Sequence, residues 1–174
     1  MARIPYADCT SAAVRPLADR IVAERGSILH LYQMLLHSAP VAEGWLNYLT
    51  AIRQKSSLPG DVRELVIMRV ALLNHAPYEA AQHAPIALRE GVSQDKLDAL
   101  KEWQGCPLFD ARERAVLAYT DAMTRQVQVS DEVFASVAAH FEPPRLVELT
   151  ATVAAYNMVS RFLEALQIHS HDAR

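Results

Sequence analysis

The chain has 174 residues, 51% of them hydrophobic, with five glycines and a formal charge of −3. That length and apolar share suit one compact helical domain and exclude a disordered chain. The near-neutral charge, with a pI of about 6.1, gives no field for nucleic acid or an anionic membrane.

Nothing reads as strand; apolar residues recur at three- and four-residue spacings. Residues 1–15 look irregular. Pro16 opens a short helix closed by Gly26, and Ser27 is a candidate cap for a helix from Ile28 to His37. Pro40 starts a third, through Trp45, Leu46, Leu49 and Ile52, ending near Ser56. After the turn Leu58-Pro59-Gly60, Asp61 is the expected N-cap of a helix over Val62 to Leu73. Its residues Leu65, Val66, Ile67, Met68, Val70, Ala71, Leu72 and Leu73 leave almost no polar face, which predicts the central buried helix. Pro77 fits the first turn of a fifth helix to Glu90, stopped by Gly91. Ser93 caps a short helix to Lys101, Asp110 opens a longer one to about Arg125, and Ser130 caps Asp131 to His140. Pro143-Pro144 introduces the last helix, to about Ile168, and residues 169–174 are expected to be a flexible tail.

The layout carries an internal echo. Arg63-Glu64-Leu65 … Val70-Ala71-Leu72-Leu73-Asn74 resembles Val147-Glu148-Leu149 … Val153-Ala154-Ala155-Tyr156-Asn157 with one gap, which predicts two related helical halves. Residues 16–168 are therefore read as one all-α helical domain.

Three ionisable residues carry the chemical interest. Glu79 and His83 stand one turn apart, so both leave the same helix face. Such a pair can hold the imidazole in one tautomer and pass a proton, or can be an ordinary surface pair. Glu64 lies on the apolar helix, where a carboxylate must be paired, raised in pKa or near the helix end. Asp61-x-x-Glu64 also has capping-box spacing, which would make Glu64 a helix-start device. Together the three would form a small acid–base site, and only if they converged could they supply three ligands to a metal; no metal is expected. Tyr78, Trp45 and Asn74 are candidate substrate contacts, with packing or capping as the plainer reading. Arg161 and Glu164 have the spacing of a structural pair.

Other chemistry finds no support. His30, His37, His75 and His140 lack ligand spacing, and His169-Ser170-His171-Asp172 lies in the expected tail. Cys9 and Cys106 form no Cys-x-x-Cys and read as free thiols of a reducing compartment. No Gly-rich phosphate loop, Gly-x-Ser-x-Gly elbow or His-Glu-x-x-His helix occurs. The N-terminus has no apolar core of signal-peptide length and no apolar run reaches a membrane span, so a soluble cytoplasmic protein is expected.

With these residues placed, the stretch from Arg63 through Asn74-His75-Ala76-Pro77-Tyr78-Glu79-Ala80-Ala81-Gln82-His83 to Gly91-Val92 resembles the carboxymuconolactone decarboxylase-like superfamily, which includes the alkylhydroperoxidase D enzymes. The specific part covers about residues 45–100, and the second half also looks like its longer members. The resemblance implies an all-helical fold around a helical hairpin and a homo-oligomer. In the peroxidase branch a Glu, a Cys-x-x-Cys pair and a His form a relay; Glu64 and His83 match the Glu and His, and the cysteine positions fall on Ala76 and Glu79. Without those thiols the disulfide cycle of that branch is excluded. The decarboxylase branch carries a Glu four residues before the His, as Glu79 and His83 stand, but its further His has no counterpart at Ala76 or Pro77.

The reading that follows is a cofactor-independent, carboxy-lyase-like enzyme acting on a small lactone, organic acid or carbonyl compound. Glu64, Glu79 and His83 are its catalytic residues, with His83 held by Glu79 and Glu64 completing the relay or kept protonated as a donor. The alternatives are a non-catalytic helical binding or stress-associated protein, and an atypical redox protein without the Cys pair.

Overall fold

The computed structural model describes residues 1–169, 171 and 172. Of the expected C-terminal tail, Ser170, Ala173 and Arg174 lie outside the described residues. The fold is all-helical, and its helices fall into two compact units, residues 1–55 with 163–174 and residues 56–162. No helix among the described residues is long and apolar enough to cross a membrane.

The first unit holds α1 (Arg15–Arg25), α2 (His30–Leu35) and α3 (Ala39–Thr50), which continues as a π-helical turn over Ala51–Lys55. Gly26 ends α1 at φ 81°, a left-handed stop that favours glycine. The expected Ser27 cap is not used: α2 starts later, with Leu29 at the N-cap. The Glu24 carboxylate accepts from Arg20 Nε at 2.8 Å and Thr50 Oγ1 at 2.7 Å, tying α1 to α3. Trp45 is buried on α3 beside Leu46 and Leu49.

The second unit is built on α4 (Gly60–Leu73) and α5 (Pro77–Arg89), followed by α6 (Gln94–Ala99), a 3-10 stretch (Leu100–Gly105), α7 (Ala111–Arg125) and α8 (Asp131–Ala138). α9 (Pro143–Leu166) gives this unit its residues up to Phe162. α4 packs on α5 and α7, and every residue from Val62 to Ala71 is buried, as its apolar sequence predicts. Leu65 and Met68 enter a core with Ala87, Leu97, Leu100, Trp103, Phe109 and Leu117.

Three charged residues, Arg63, Glu64 and Arg69, are buried in α4 with oppositely charged partners. Arg69 sends Nε and Nη2 to the two oxygens of Asp121 at 2.6 Å each, and Nη1 to the Leu100 carbonyl at 2.7 Å. This fork joins α4, α7 and the 3-10 stretch with planar, bidentate geometry that a lysine lacks. The other two, Arg63 and Glu64, are described below. Asp61 is not the N-cap of α4; that position is Pro59, and Asp61 instead accepts from Arg112 Nη2 at 3.2 Å.

A tight turn joins α4 to α5. His75 takes φ 53°, its N–H donates to the Leu72 carbonyl, and the Ala76 N–H reaches back to Ala71. These paired bonds end α4 as a glycine would, but with a side-chain-bearing residue in the left-handed region. Capping boxes and hydroxyl caps appear where the sequence predicts them: Asp110 with Glu113 at α7, Ser93 at α6 and Ser130 at α8.

Candidate active site

The α4–α5 hairpin brings Glu64 and His83 together. Glu64 is wholly buried, and His83 Nδ1 donates to its Oε2 at 2.7 Å. Arg63 Nε donates to the other oxygen, Oε1, at 3.1 Å, and Arg63 Nη2 lies 3.2 Å from Glu90 Oε1. Glu64 is thus no capping-box residue; both of its oxygens are taken by groups that favour an anion. Burial pushes its carboxyl up, but the hydrogen bond and charge of His83, then those of Arg63, outweigh burial and hold it below its ordinary value of 4.5. These two donors favour the ionised form of Glu64 over the protonated donor, one of its two expected roles.

Glu90 reaches this cluster because Gly60 leaves room. A Cβ on Gly60 would fall 1.7 Å from Glu90 Oε2, so any larger residue displaces that carboxylate from the start of α4.

Glu79 occupies the third residue of α5 and is 1% exposed. A hydrogen bond of 2.6 Å joins its Oε2 to Ser160 Oγ on α9. The N-terminus of α5 favours a negative charge here by about 0.3–1 kcal/mol. Removing a carboxylate from water costs several kcal/mol, so the helix end alone does not compensate it.

α9 forms the wall opposite the hairpin. Tyr156 is 1% exposed and meets the His83 ring edge to face, centroids 5.1 Å apart and planes at 90°. Asn157 Oδ1 accepts from Asn74 Nδ2 at 3.1 Å and from Arg161 Nη1 at 2.8 Å. Asn157 Nδ2 donates to Thr124 Oγ1 at 2.9 Å. Tyr156, Asn157 and Ser160 share one face of α9 through their three- and four-residue spacing.

The six sequence candidates are placed as follows. Glu64 and His83 are hydrogen-bonded, and Glu79 lies one turn before His83 on the same helix. Tyr78 is buried beside Glu79, Asn74 caps the end of α4 and bonds Asn157, and Trp45 belongs to the other unit. Arg161 bonds the side chain and carbonyl of Asn157. Among the described residues, no three His, Cys, Asp or Glu side chains form a metal-binding group. Arg63, Tyr156 and Ser160 were not singled out from the sequence. Their signal was a polar set, Asn157 and Ser160, on the face of an apolar helix that also carries Tyr156.

Part of the chain matches a known family. The model of the carboxymuconolactone decarboxylase family matches residues 39–122. The uncharacterized protein YnjA of Escherichia coli (strain K12) is 35% identical over 127 residues, covering 72% of this chain and 66% of that protein, just under two thirds of its length. Among solved structures, the alkylhydroperoxidase AhpD core of a peroxidase-related protein from Ralstonia eutropha JMP134 has a TM-score of 0.83 at 16% identity, covering 98% of this chain and 93% of that one. The debrominase Bmp8 in complex with 2,3,4-tribromopyrrole has a TM-score of 0.80 at 18% identity, covering 98% and 95%. At these identities the two structures share the fold.

Proposed function

Because this chain belongs to the carboxymuconolactone decarboxylase-like superfamily, we propose that it is a cofactor-independent acid–base enzyme acting on a small organic acid, lactone or carbonyl compound. The observation that carries the proposal is the 2.7 Å bond between the buried Glu64 carboxylate and His83 Nδ1. An anion fixed on Nδ1 selects the tautomer with its proton there and leaves Nε2 as the basic nitrogen. Arg63 Nε donates to the other carboxylate oxygen and adds to what His83 does in favouring the anion.

In this reading His83 Nε2 takes a proton from the substrate, or returns one, next to a second carboxyl at Glu79. Decarboxylation follows the same logic. A buried site destabilises the departing carboxylate relative to a delocalised carbanion, and a nearby acid protonates the carbanion after carbon dioxide leaves. Isomerisation and lactone opening use the same groups. Tyr78 and Asn74 are proposed substrate contacts from the hairpin. We also take the protein to be a cytoplasmic homo-oligomer, a state that light scattering after gel filtration measures directly.

The test is turnover of β-keto acids and carboxylated lactones by wild type, His83→Ala and Glu64→Gln proteins with verified folds. Loss of a positioned acid–base group lowers rates by about 10²–10⁴-fold. A folded His83→Ala protein matching wild type on every substrate turned over would refute the assignment. Wild-type inactivity across the panel would favour a binding role instead. Ala76 and Glu79 stand where peroxidase relatives carry thiols, and burial pushes the Cys9 thiol pKa up, disfavouring its reactive thiolate. Hydroperoxide consumption abolished by Cys9→Ser or Cys106→Ser would establish redox chemistry in place of proton transfer.

A further inference from the structure

Neighbouring residues leave a helix about 100° apart, so an i, i+1 pair does not ordinarily meet side chain to side chain. Arg63 and Glu64 nevertheless meet, Nε to Oε1 at 3.1 Å, with the Arg63 side chain 10% exposed and Glu64 wholly buried. The α4 backbone does not impose that contact, so the guanidinium must be held over its neighbour. Glu90, the C-cap residue of α5, supplies a hold: its Oε1 lies 3.2 Å from Arg63 Nη2, and one guanidinium joins two carboxylates. Gly60 makes this possible. It stands three residues before Arg63, on the same face of α4, and a Cβ there would overlap the Glu90 carboxylate.

We propose that Glu90 is a positioning residue of the Glu64–His83 pair, holding Arg63 on the buried carboxylate, and that Gly60 is the notch that admits it. The assignment rests on the proton-transfer reading above and deepens it by naming what sets the base strength of His83. A carboxylate bonded to an imidazole favours the imidazolium, which is no base. A guanidinium on the same carboxylate shares its charge and repels a second cation, so it lowers the imidazole pKa relative to Glu64 acting alone. General bases work best with a pKa near the operating pH. The titratable and charged groups about His83 include Glu64 and Arg63 from α4, Glu79 one turn back on α5, and Tyr156 from α9. Glu90 follows His83 by two turns on the same face of α5 and reaches the pair through Arg63.

Two effects of Glu90 on His83 have opposite signs. As a plain negative charge Glu90 raises the imidazole pKa, and its removal lowers it. As the holder of Arg63 it keeps a cation beside the pair, and its removal raises the same pKa. Gly60→Ala separates the two, because it displaces the Glu90 carboxylate and leaves every charge in the chain unchanged. Glu90 touches no substrate in this scheme; it acts through Arg63 and Glu64.

Proton NMR titration of the histidine rings in the intact protein tests this without any substrate, the His83 signal being the one that His83→Ala removes. The expected result is a rise of about one pH unit in the His83 midpoint in Arg63→Gln. Gly60→Ala and Glu90→Ala should shift it in the same direction. The double variant Gly60→Ala with Glu90→Ala should move no further than Glu90→Ala alone, since both release one hold. A fall of the midpoint in Glu90→Ala, or an unmoved midpoint in Gly60→Ala, overturns the proposal. If Gly60→Ala does not fold, the sign of the shift in Glu90→Ala decides. Shifts as expected in a protein inactive on the whole substrate panel uphold the positioning role and defeat the enzyme reading. Turnover that needs His83, with a midpoint indifferent to Gly60 and Glu90, does the reverse.

Discussion

Asn74 and Asn157 meet side chain to side chain, the amide of Asn74 donating to Oδ1 of Asn157 across 3.1 Å. They close the two copies of one sequence echo, so equivalent positions of the two copies touch. Asn157 also donates to Thr124 and accepts from Arg161, making it the centre of a polar cluster joining α4, α7 and α9. Asn157→Ala should destabilise the fold by about 1–3 kcal/mol, since partners lose their bonds in a largely buried setting. For a chain of this size each kcal/mol lowers the melting temperature by roughly 2–4 °C. An unchanged melting curve would show that water replaces the asparagine.

The echo also pairs Glu64 with Glu148, and the two have different environments. Glu148 accepts from Ser57 N at 3.0 Å and Ser57 Oγ at 2.9 Å in an exposed setting. Glu148→Ala should behave as the loss of a cap, costing about 0.5–2 kcal/mol and leaving turnover intact. Substitution at Glu64 should abolish activity. Equal effects of the two substitutions on turnover would contradict this division.

Acid should expose the contribution of Glu64 to stability. Glu64 has its folded-state pKa held below the ordinary 4.5. Its stabilisation is thus complete above the unfolded value and fades as pH falls through the lowered one. Wild type should lose stability on acidification below about pH 5 more steeply than Glu64→Gln, which has no charge to lose there. Parallel urea titrations from neutral to acidic pH measure the difference, and parallel slopes would remove Glu64 from the account.

Asp121→Ala leaves the Arg69 guanidinium, 2% exposed as a residue, without its carboxylate. Breaking a buried pair from one side costs about 3–5 kcal/mol, more than removing both charges together. The double variant Arg69→Met with Asp121→Ala should therefore be more stable than Asp121→Ala alone in denaturant unfolding. If the single variant is the more stable, the pair is not a desolvated one.

His75→Gly should stabilise the protein by about 1 kcal/mol, because φ 53° strains a residue with a Cβ and not glycine. Thermal unfolding reads the gain. A loss instead would mean that the imidazole contributes contacts worth more than the strain.

Much of the helix layout was legible because caps, prolines and apolar periodicity act over a few residues. Ser93, Asp110 and Ser130 each cap where their spacing says. The burial of α4 could be read from its sequence, and so could Glu64 as an anomaly within it. The partners could not. Glu64 lies 19 residues from His83, and Glu79 lies 81 from Ser160, so no local periodicity records either contact. Asp61 shows the converse failure: its capping spacing was sound, but Arg112 from α7 uses the carboxylate instead. Local rules end where tertiary partners compete for the same side chain.

The edge-to-face packing of Tyr156 on His83 has a stereochemical consequence. A ring held at Nδ1 by Glu64 and braced on its flank by Tyr156 has one orientation, and the Nε2 lone pair therefore one direction. A planar carbanion formed before it has two faces, of which only one looks toward that nitrogen. Proton delivery by His83 in the proposed reaction would label a single prochiral position in heavy water, giving one enantiomer of the deuterated product where an untethered imidazole would give both.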